Sequence, residues 1–362
     1  MTRLRSSFCA LLVIALFATV GFSADLTDSL KPGNADIKSA GILTFGPEGI
    51  LFVGDPLGAA IFAFDTQDRT ATQAAPVDVK GINGKIAAML GTTADQILIN
   101  DLAVNPISKK MYLSVSRGKG PTAAPVILRV DSKGAVEQFS TQNVKHSKVT
   151  LPDAPASQPS GGRDPRMQAI TDLAYLDGKV LVAGLSNEEF SSNLKSIPFP
   201  FQQASKGTSV EIWHGSHGRF ETQSPVRTFV PFKIKNEQNI LAAYTCTPLV
   251  KIPTSQLQPG SKVKGTTIAE LGAGNQPLDM ISYTKAGHSF ILMNNSSRGV
   301  MRLTADNLDT YKPITAPSDI AGVPYETIKT LANVQQLDKV DETMAVILVG
   351  SGAMDLKTIA LP

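Results

Sequence analysis

The sequence predicts an all-β protein, a single β-propeller of six four-stranded antiparallel blades. Residues 99–140 contain four short segments that are rich in β-branched and aromatic residues and bounded by turn residues, namely INDLAV, MYLSVS, PVILRV and AVEQFS. A four-stranded meander of about forty residues is the unit of a propeller blade. The segment ITDLAY at 170–175 closely matches INDLAV at 99–104, which indicates that the unit repeats.

The amino terminus has the pattern of a cleaved signal peptide. Arg3 and Arg5 precede a mostly apolar run over residues 8–20, and small residues follow at Gly21 and Ser23. The alternative is a membrane anchor, but the run is shorter than the ~20 apolar residues that a span needs. We therefore expect a signal peptide at 1–23, a polar arm at 24–38 and the propeller at 39–362, in a secreted or periplasmic protein.

The net charge and the cysteine count of the exported chain exclude some classes of partner and an internal disulfide. Loss of the signal peptide leaves 32 basic against 31 acidic residues, and such a near-neutral surface argues against nucleic acid or an anionic membrane. It also removes Cys9, so that Cys246 remains and an internal disulfide is excluded. We expect a monomer with a protein or small-molecule partner.

Six blades follow one another along the chain, with seven as the alternative count. The last unit shows three strands, and a ring must close, so we expect residues 35–38 to complete its sheet. The strand segments are GILTFG, ILFVGD and AAIFAFD in blade 1; the four named above in blade 2; AITDLAY, KVLVAGLS, SVEIW and RFET in blade 3; VRTFVPFKI, QNILAAY, LVKIP and TTIAEL in blade 4; PLDMISY, SFILMN and GVMRLT in blade 5; and NVQQLDKV, MAVILVG and MDLKTIAL in blade 6.

Blade 1 has a family resemblance. Its segment GPEGILFVGDPLGAAIFAFD resembles the repeat of NHL, lactonase-like and related propellers, in which a glycine turn precedes a strand, an acidic turn and a second strand. The resemblance supports the fold and carries no catalytic residue to this chain.

Long loops predict where a partner binds. On the blade 2 template, the loops 150–165, 187–208 and 118–124 share one face, the face on which each inner strand begins. Loops that lengthen on one face of a rigid scaffold are where binding sites are usually built. The first functional hypothesis is therefore a binding or scaffold module that recognises a ligand or partner around the central channel.

Aspartates near the start of three inner strands suggest a second function. Asp101, with Asn100 beside it, Asp172 and Asp279 could hold a hard cation such as Ca²⁺, which prefers six to eight oxygen ligands. The resemblance to lactonase-like propellers implies a metal-dependent hydrolase in which such a cation polarises a lactone carbonyl. Alternatively, the aspartates accept backbone N–H bonds in their turns. The spacing to the tyrosine that follows places Asp279 one position out of register with Asp172.

A second candidate metal site lies in the turn WHGSHGRFE. His214 and His217, with Glu221 close behind, could bind Zn²⁺ or Cu²⁺, whereas a solvated turn is the other interpretation. The template places this turn between the third and fourth strands, on the face opposite the long loops. Cys246 would be a third ligand only if blade 4 folded differently, and otherwise is a buried structural thiol.

Several chemistries lose support from missing motifs. The sequence contains no G-x-S-x-G, H-E-x-x-H, P-loop, dinucleotide or C-x-x-C-H pattern. A single tryptophan argues against quinoprotein propellers, whose blades repeat tryptophan motifs. An accessory subunit of a periplasmic redox enzyme remains as a third hypothesis.

Overall fold

The computed structural model describes residues 25–158, 164–246 and 248–362. The predicted signal peptide lies outside the described residues. Six antiparallel sheets stand around a central channel, so the prediction of a six-bladed propeller is confirmed and the seven-blade alternative is not. None of the helices in the described residues has the length and hydrophobicity needed to cross a bilayer.

Each blade is numbered by the position of its inner strand in the chain. The strands, from the channel outward, are as follows: blade 1, Leu43–Phe45, Ile50–Asp55, Ala60–Asp65, Val144–Thr150 and Lys31–Gly33; blade 2, Ile97–Val104, Met111–Arg117, Ala124–Val130 and Val136–Phe139; blade 3, Asp172–Leu176, Lys179–Leu185, Ser192–Pro198, Thr208–His214 and Arg219–Glu221; blade 4, Thr228–Ile234, Glu237–Ala243, Pro248–Pro253, Thr266–Leu271 and Ile320–Gly322; blade 5, Pro277–Lys285, His288–Asn295, Gly299–Thr304 and Tyr325–Thr327; blade 6, Val334–Lys339, Met344–Gly350, Met354–Ala360 and Asp78–Val79. Lys262–Lys264 pairs in parallel with Thr208–His214.

The blades do not follow chain order around the ring. Contacts between inner strands give the cyclic order 2, 1, 3, 4, 5, 6 and back to 2. After the third strand of blade 1, the chain crosses to blade 6, builds blade 2, and then returns with Val144–Thr150 to complete blade 1. Blade 2 therefore lies between blades 1 and 6.

Ring closure differs from the sequence-based expectation. Asp78–Val79 supplies the fourth strand of blade 6, with Val79 opposite Leu356. The expectation that residues 35–38 complete this sheet is therefore wrong: the nearby strand Lys31–Gly33 pairs with Val144–Thr150 at the outer edge of blade 1. The helix Ile82–Met89 follows the closing strand, and Ile82 and Ile86 are buried where blades 2 and 6 meet.

Hydrophobic side chains between the blades hold the ring together. The described residues contain six such clusters, one in each interface between neighbouring blades. The strands Ile50–Asp55 and Ala60–Asp65 are buried at every position, because a middle strand of a blade is covered on both faces by neighbouring blades. Full burial of one large aliphatic side chain contributes about 1.5–3 kcal/mol, so each interface is strongly stabilising.

Candidate functional site

One end of the ring carries the candidate sites. Strand direction alternates within each blade, so the starts of the inner strands, the turns between second and third strands and the turns after fourth strands all lie at the same end. We call this end the entry face. Residues 151–158 and 164–171 lie between the fourth strand of blade 1 and the inner strand of blade 3, so the described part of the predicted loop 150–165 precedes that inner strand.

Blade 3 contains one strand more than predicted before its histidine turn. Ser192–Pro198 forms the third strand, inside the segment 187–208 that was expected to be a loop. Thr208–His214 is therefore the fourth strand, and the turn after it lies on the entry face. The prediction that His214 and His217 lie on the opposite face is wrong for this reason.

Four aspartates line the central channel, one on each of four inner strands. They are Asp101, Asp172, Asp279 and Asp338, called the channel aspartates below. The cavity between them has a volume of about 240 Å³. Sequence reasoning missed Asp338, although its segment LDK resembles the LDM that contains Asp279.

Each channel aspartate links two neighbouring blades. The Oδ2 atom accepts a hydrogen bond from a backbone N–H of the adjacent inner strand, at 2.6 Å for Asp101 with Leu43 and 2.6 Å for Asp172 with Phe229. The corresponding distances are 2.9 Å for Asp279 with Leu337 and 2.7 Å for Asp338 with Val104.

The second oxygen of these carboxylates is also engaged. In Asp172, Asp279 and Asp338, Oδ1 accepts from the N–H of the following residue at 2.7 Å. Both oxygens of each of these carboxylates thus bind backbone, as expected for a group that satisfies strand edges. This geometry favours the structural interpretation of the aspartates, and their assignment to ligand binding stays a prediction.

The predicted difference in register between Asp279 and Asp172 is wrong. Pairing in blade 5 runs without a shift from Asp279 to Tyr283, and the bulge lies before this segment, between Pro277 and Asp279. Asp279 and Asp172 then make equivalent hydrogen bonds and face the same channel. The apparent slip therefore belongs to the tyrosines that follow, not to the aspartates.

Burial in the narrow channel disfavours the charged form of these carboxyl groups. It raises the pKa of Asp172 to about 7 and the pKa of Asp338 to about 6, despite the backbone hydrogen bonds that oppose it. Burial also raises the pKa of Asp101 and Asp279 well above the usual range, and neighbouring channel carboxylates add repulsion to both. The channel is therefore a place where negative charge is costly.

Amide side chains surround the mouth of the channel on the entry face. A cavity of about 890 Å³ is lined by Asn100, Gln276, Gln335 and Gln336, and it adjoins a second cavity of about 400 Å³ that shares Asn100 and Arg227 with it. Asn100 therefore lies at the mouth, where its Nδ2 donates to Ala40 O at 2.8 Å and to Ser116 Oγ at 2.9 Å.

The histidine turn contains a compact polar cluster. His214 Nδ1 lies 2.8 Å from Glu221 Oε2, and His217 Nδ1 lies 2.7 Å from Glu221 Oε1. The two imidazole centroids are 3.9 Å apart. The turn is anchored to blade 4 because Gly215 N donates to Glu270 Oε1 at 2.5 Å.

Cys246 joins this cluster from blade 4. It lies in the turn between the second and third strands of that blade, and its N–H donates to Asn275 O at 2.6 Å. One ligand atom from each of His214, His217 and Cys246 lies within 4.8 Å of the other two. Among the described residues this is the one such group of three metal-ligating side chains, and its formation depends on the extra strand of blade 3.

The charges of the cluster are set by burial and by the shared carboxylate. Burial lowers the pKa of His214, although Glu221 opposes the effect. Burial also disfavours the charged form of Glu221, but the hydrogen bonds with His214 and His217 prevail and lower its pKa to about 2. At neutral pH, Glu221 is therefore ionised and His214 is neutral.

No protein-family model and no curated protein matches the sequence. Among solved structures, the chain is similar to the extracellular domains 1–2 of Drosophila semaphorin 1b, with 7% identity, coverage of 92% of this chain and 87% of that one, and a TM-score of 0.44. An oxidoreductase from Thermus thermophilus, described as a glucose dehydrogenase, gives 10% identity, coverage of 91% and 100%, and a TM-score of 0.36. Kuenenia stuttgartiensis hydrazine synthase gives 13% identity, coverage of 91% of this chain and 97% of that one, and a TM-score of 0.36. Scores this low carry no argument about activity.

Proposed function

We propose that the protein is an exported binding module that holds a small, neutral, polyhydroxylated molecule at the channel mouth on its entry face. The observation that carries this proposal is the cavity of about 890 Å³ whose lining includes the amide side chains of Asn100, Gln276, Gln335 and Gln336. Small-molecule sites typically have volumes of about 300–1,000 Å³, so the cavity has the size of a ligand site.

The hydrogen bonds of the amides favour a ligand that donates. Gln336 Nε2 donates to Asn100 O at 3.1 Å, and Gln335 Nε2 donates to Gly350 O at 3.3 Å. Asn100 Nδ2 likewise donates to protein acceptors. The NH₂ groups of these three residues thus donate to the protein, and their amide oxygens can accept from hydroxyl groups of a ligand.

The carboxyl groups of the channel argue against an anionic ligand deep in it. The carboxyl groups of the channel aspartates lie deeper in the channel than the amide side chains at its mouth, and their ionised forms would repel an anion. A neutral polyol avoids this repulsion and can use the amide oxygens. The protein then acts by recognition, and the proposal assigns it no reaction.

Calorimetric titration with glucose, myo-inositol and glycerol tests the proposal. We expect at least one of these polyols to bind, and Gln336→Leu to weaken binding at least tenfold because it removes an acceptor from the mouth. Gln138→Leu, at an exposed position on the outer strand of blade 2, is the matched control and should bind like the unmodified protein. Absence of binding, or equal binding by Gln336→Leu, would contradict the proposal.

A second candidate is the lactonase-like hydrolase with Ca²⁺ in the channel. The four carboxylates around the cavity of about 240 Å³ favour it, because Ca²⁺ prefers oxygen ligands. Their engagement with backbone N–H groups counts against it. Addition of Ca²⁺ distinguishes the two, as set out in the Discussion.

A further inference from the structure

The cluster of His214, His217 and Cys246 combines residues that are rare in this chain. The sequence contains four histidines and two cysteines, and Cys9 lies in the predicted signal peptide. Half of the histidines and the remaining cysteine thus meet at one point, although they come from two different blades.

Glu221 orients both imidazoles in the same way. Because its two oxygens accept from the two Nδ1 atoms, Nε2 is the nitrogen of each ring that is left for another partner. A carboxylate behind a histidine is the usual outer partner of a metal-bound imidazole, since it fixes the tautomer and raises the basicity of the ligating nitrogen. Here a single carboxylate serves two rings.

His214 also has a buried atom without a partner. Its side chain is 2% exposed, and Nε2 makes no hydrogen bond among the described residues. A buried acceptor that lacks a partner is destabilising, and the structure around it provides none. A bound ion would supply that partner.

We propose that His214 and His217, through Nε2, and Cys246, through Sγ, form a site for one thiophilic first-row metal ion, zinc or copper. Two imidazole nitrogens and one thiolate suit these ions better than Ca²⁺ or Mg²⁺, which prefer oxygen. Three protein ligands leave a fourth position for water or another molecule.

Access and proton balance are consistent with this site. The side chain of His217 is 43% exposed, so the ion can enter from the entry face. On binding, the Cys246 thiol loses its proton to solvent and the thiolate binds the ion, while Nδ1 of each imidazole keeps its hydrogen bond to Glu221 and Nε2 binds the ion. The site does not depend on the polyol proposal, because it lies in the turns of blades 3 and 4 and not at the channel mouth.

Titration of the metal-free full chain with Co²⁺ tests this proposal, because a thiolate bound to Co²⁺ gives a charge-transfer absorption. We expect one Co²⁺ per chain, displaced by Zn²⁺ or Cu⁺. Cys246→Ser should abolish the charge-transfer band, and His217→Gln should weaken binding at least tenfold. Glu221→Gln should weaken it about 10- to 100-fold, because an amide cannot accept from both rings.

His288→Gln is the matched control, since His288 Nδ1 also contacts a carboxylate, Asp306 Oδ2 at 2.7 Å, outside the cluster. Circular dichroism should show that every variant keeps its β structure. Absence of the thiolate band, or a band that survives in Cys246→Ser, would overturn the proposal. An equal loss of Co²⁺ binding in His288→Gln would show adventitious surface binding only and would overturn it too. Competition between Zn²⁺ and Cu⁺ then identifies the preferred ion.

Discussion

The channel aspartates and the histidine–cysteine cluster both bring ionisable groups together, but they treat those groups in opposite ways. In Asp172, Asp279 and Asp338, both carboxylate oxygens bind backbone N–H groups, and one of these bonds reaches the next blade. In the cluster, Glu221 binds two imidazoles, and among the described residues His214 Nε2 has no partner.

This difference favours a structural role for the channel aspartates and supports the metal site that we propose at the cluster. Polar atoms that satisfy each other and the backbone stabilise a fold and leave little for a ligand. The buried Nε2 of His214 has no such partner among the described residues. Sequence position alone made the aspartates the stronger candidates, whereas the hydrogen bonds favour the cluster.

Removing one channel aspartate should give the largest loss of stability. Asp172→Ala leaves the N–H groups of Phe229 and Leu173 without acceptors, which should lower the free energy of unfolding by about 2–4 kcal/mol. Urea denaturation measures the change. Asp36→Ala, whose side chain is 75% exposed, is the control and should stay within about 0.5 kcal/mol. A loss in Asp172→Ala no larger than in the control would contradict the linking role.

Acidification should stabilise the protein by a smaller amount. The folded-state pKa values of Asp172 and Glu270, each about 7, and of Asp338, about 6, lie above the values for unfolded carboxyl groups. Their stabilising contribution is complete below the unfolded pKa and is lost as the pH rises through the folded pKa. The free energy of unfolding should therefore increase from pH 8 to pH 5 by on the order of 1 kcal/mol per carboxyl group. The melting temperature should increase with it.

His214 opposes this trend. The lowered pKa of His214 means that the unfolded chain binds its proton more readily, so this residue destabilises the fold as the pH falls below the usual histidine value. The effect of this one histidine is smaller than the combined effect of several carboxyl groups, so the melting temperature should still increase from pH 8 to pH 5. A melting temperature that is flat or falls between pH 8 and pH 5 would show that burial of the aspartates does not govern stability.

Calcium should have the smallest effect. If the channel aspartates link blades, adding Ca²⁺ to the metal-free protein leaves the melting temperature unchanged, because their oxygens already have partners. If they hold a cation, the gain at a hundredfold excess over Kd would be about 2.7 kcal/mol. A Ca²⁺-dependent rise in the melting temperature that Asp101→Asn abolishes would favour the hydrolase. It would also show that the channel aspartates bind a ligand. Differential scanning calorimetry with and without Ca²⁺ measures the difference.

Much of the propeller could be predicted from local pattern. Strands such as Ile97–Val104 and Met344–Gly350 combine β-branched residues with clear turns, and the echo between 99–104 and 170–175 identified two inner strands correctly. These features are local, so one sequence is enough to read them. The placement of three aspartates in the channel followed from the same template.

Other elements depend on distant partners. Ser192–Pro198 contains Lys195, which looks like a loop residue but is buried against Asp153, 2.7 Å from its Nζ atom. Asp78–Val79 is too short for a strand pattern of its own. Because the missed strand inverted the predicted position of the histidine turn, the meeting of Cys246 with His214 could not be predicted from the sequence.

The interleaved order of the first two blades has a consequence for folding during synthesis. Blade 1 lacks its fourth strand until residues 144–150 have emerged, and by then the whole of blade 2 has been made. The strand Asp78–Val79 pairs even later, because its partner strand lies near the end of the sequence. Next to it, Val77 N donates to Thr358 Oγ1, 281 positions away. Such long-range pairing slows folding, because the entropy of closing the chain must be overcome before the contacts form. A chain emerging from the ribosome therefore exposes the face of blade 2 that packs on blade 6 until the strands of blade 6, which extend to Ala360, have also emerged, and the ring can close only then.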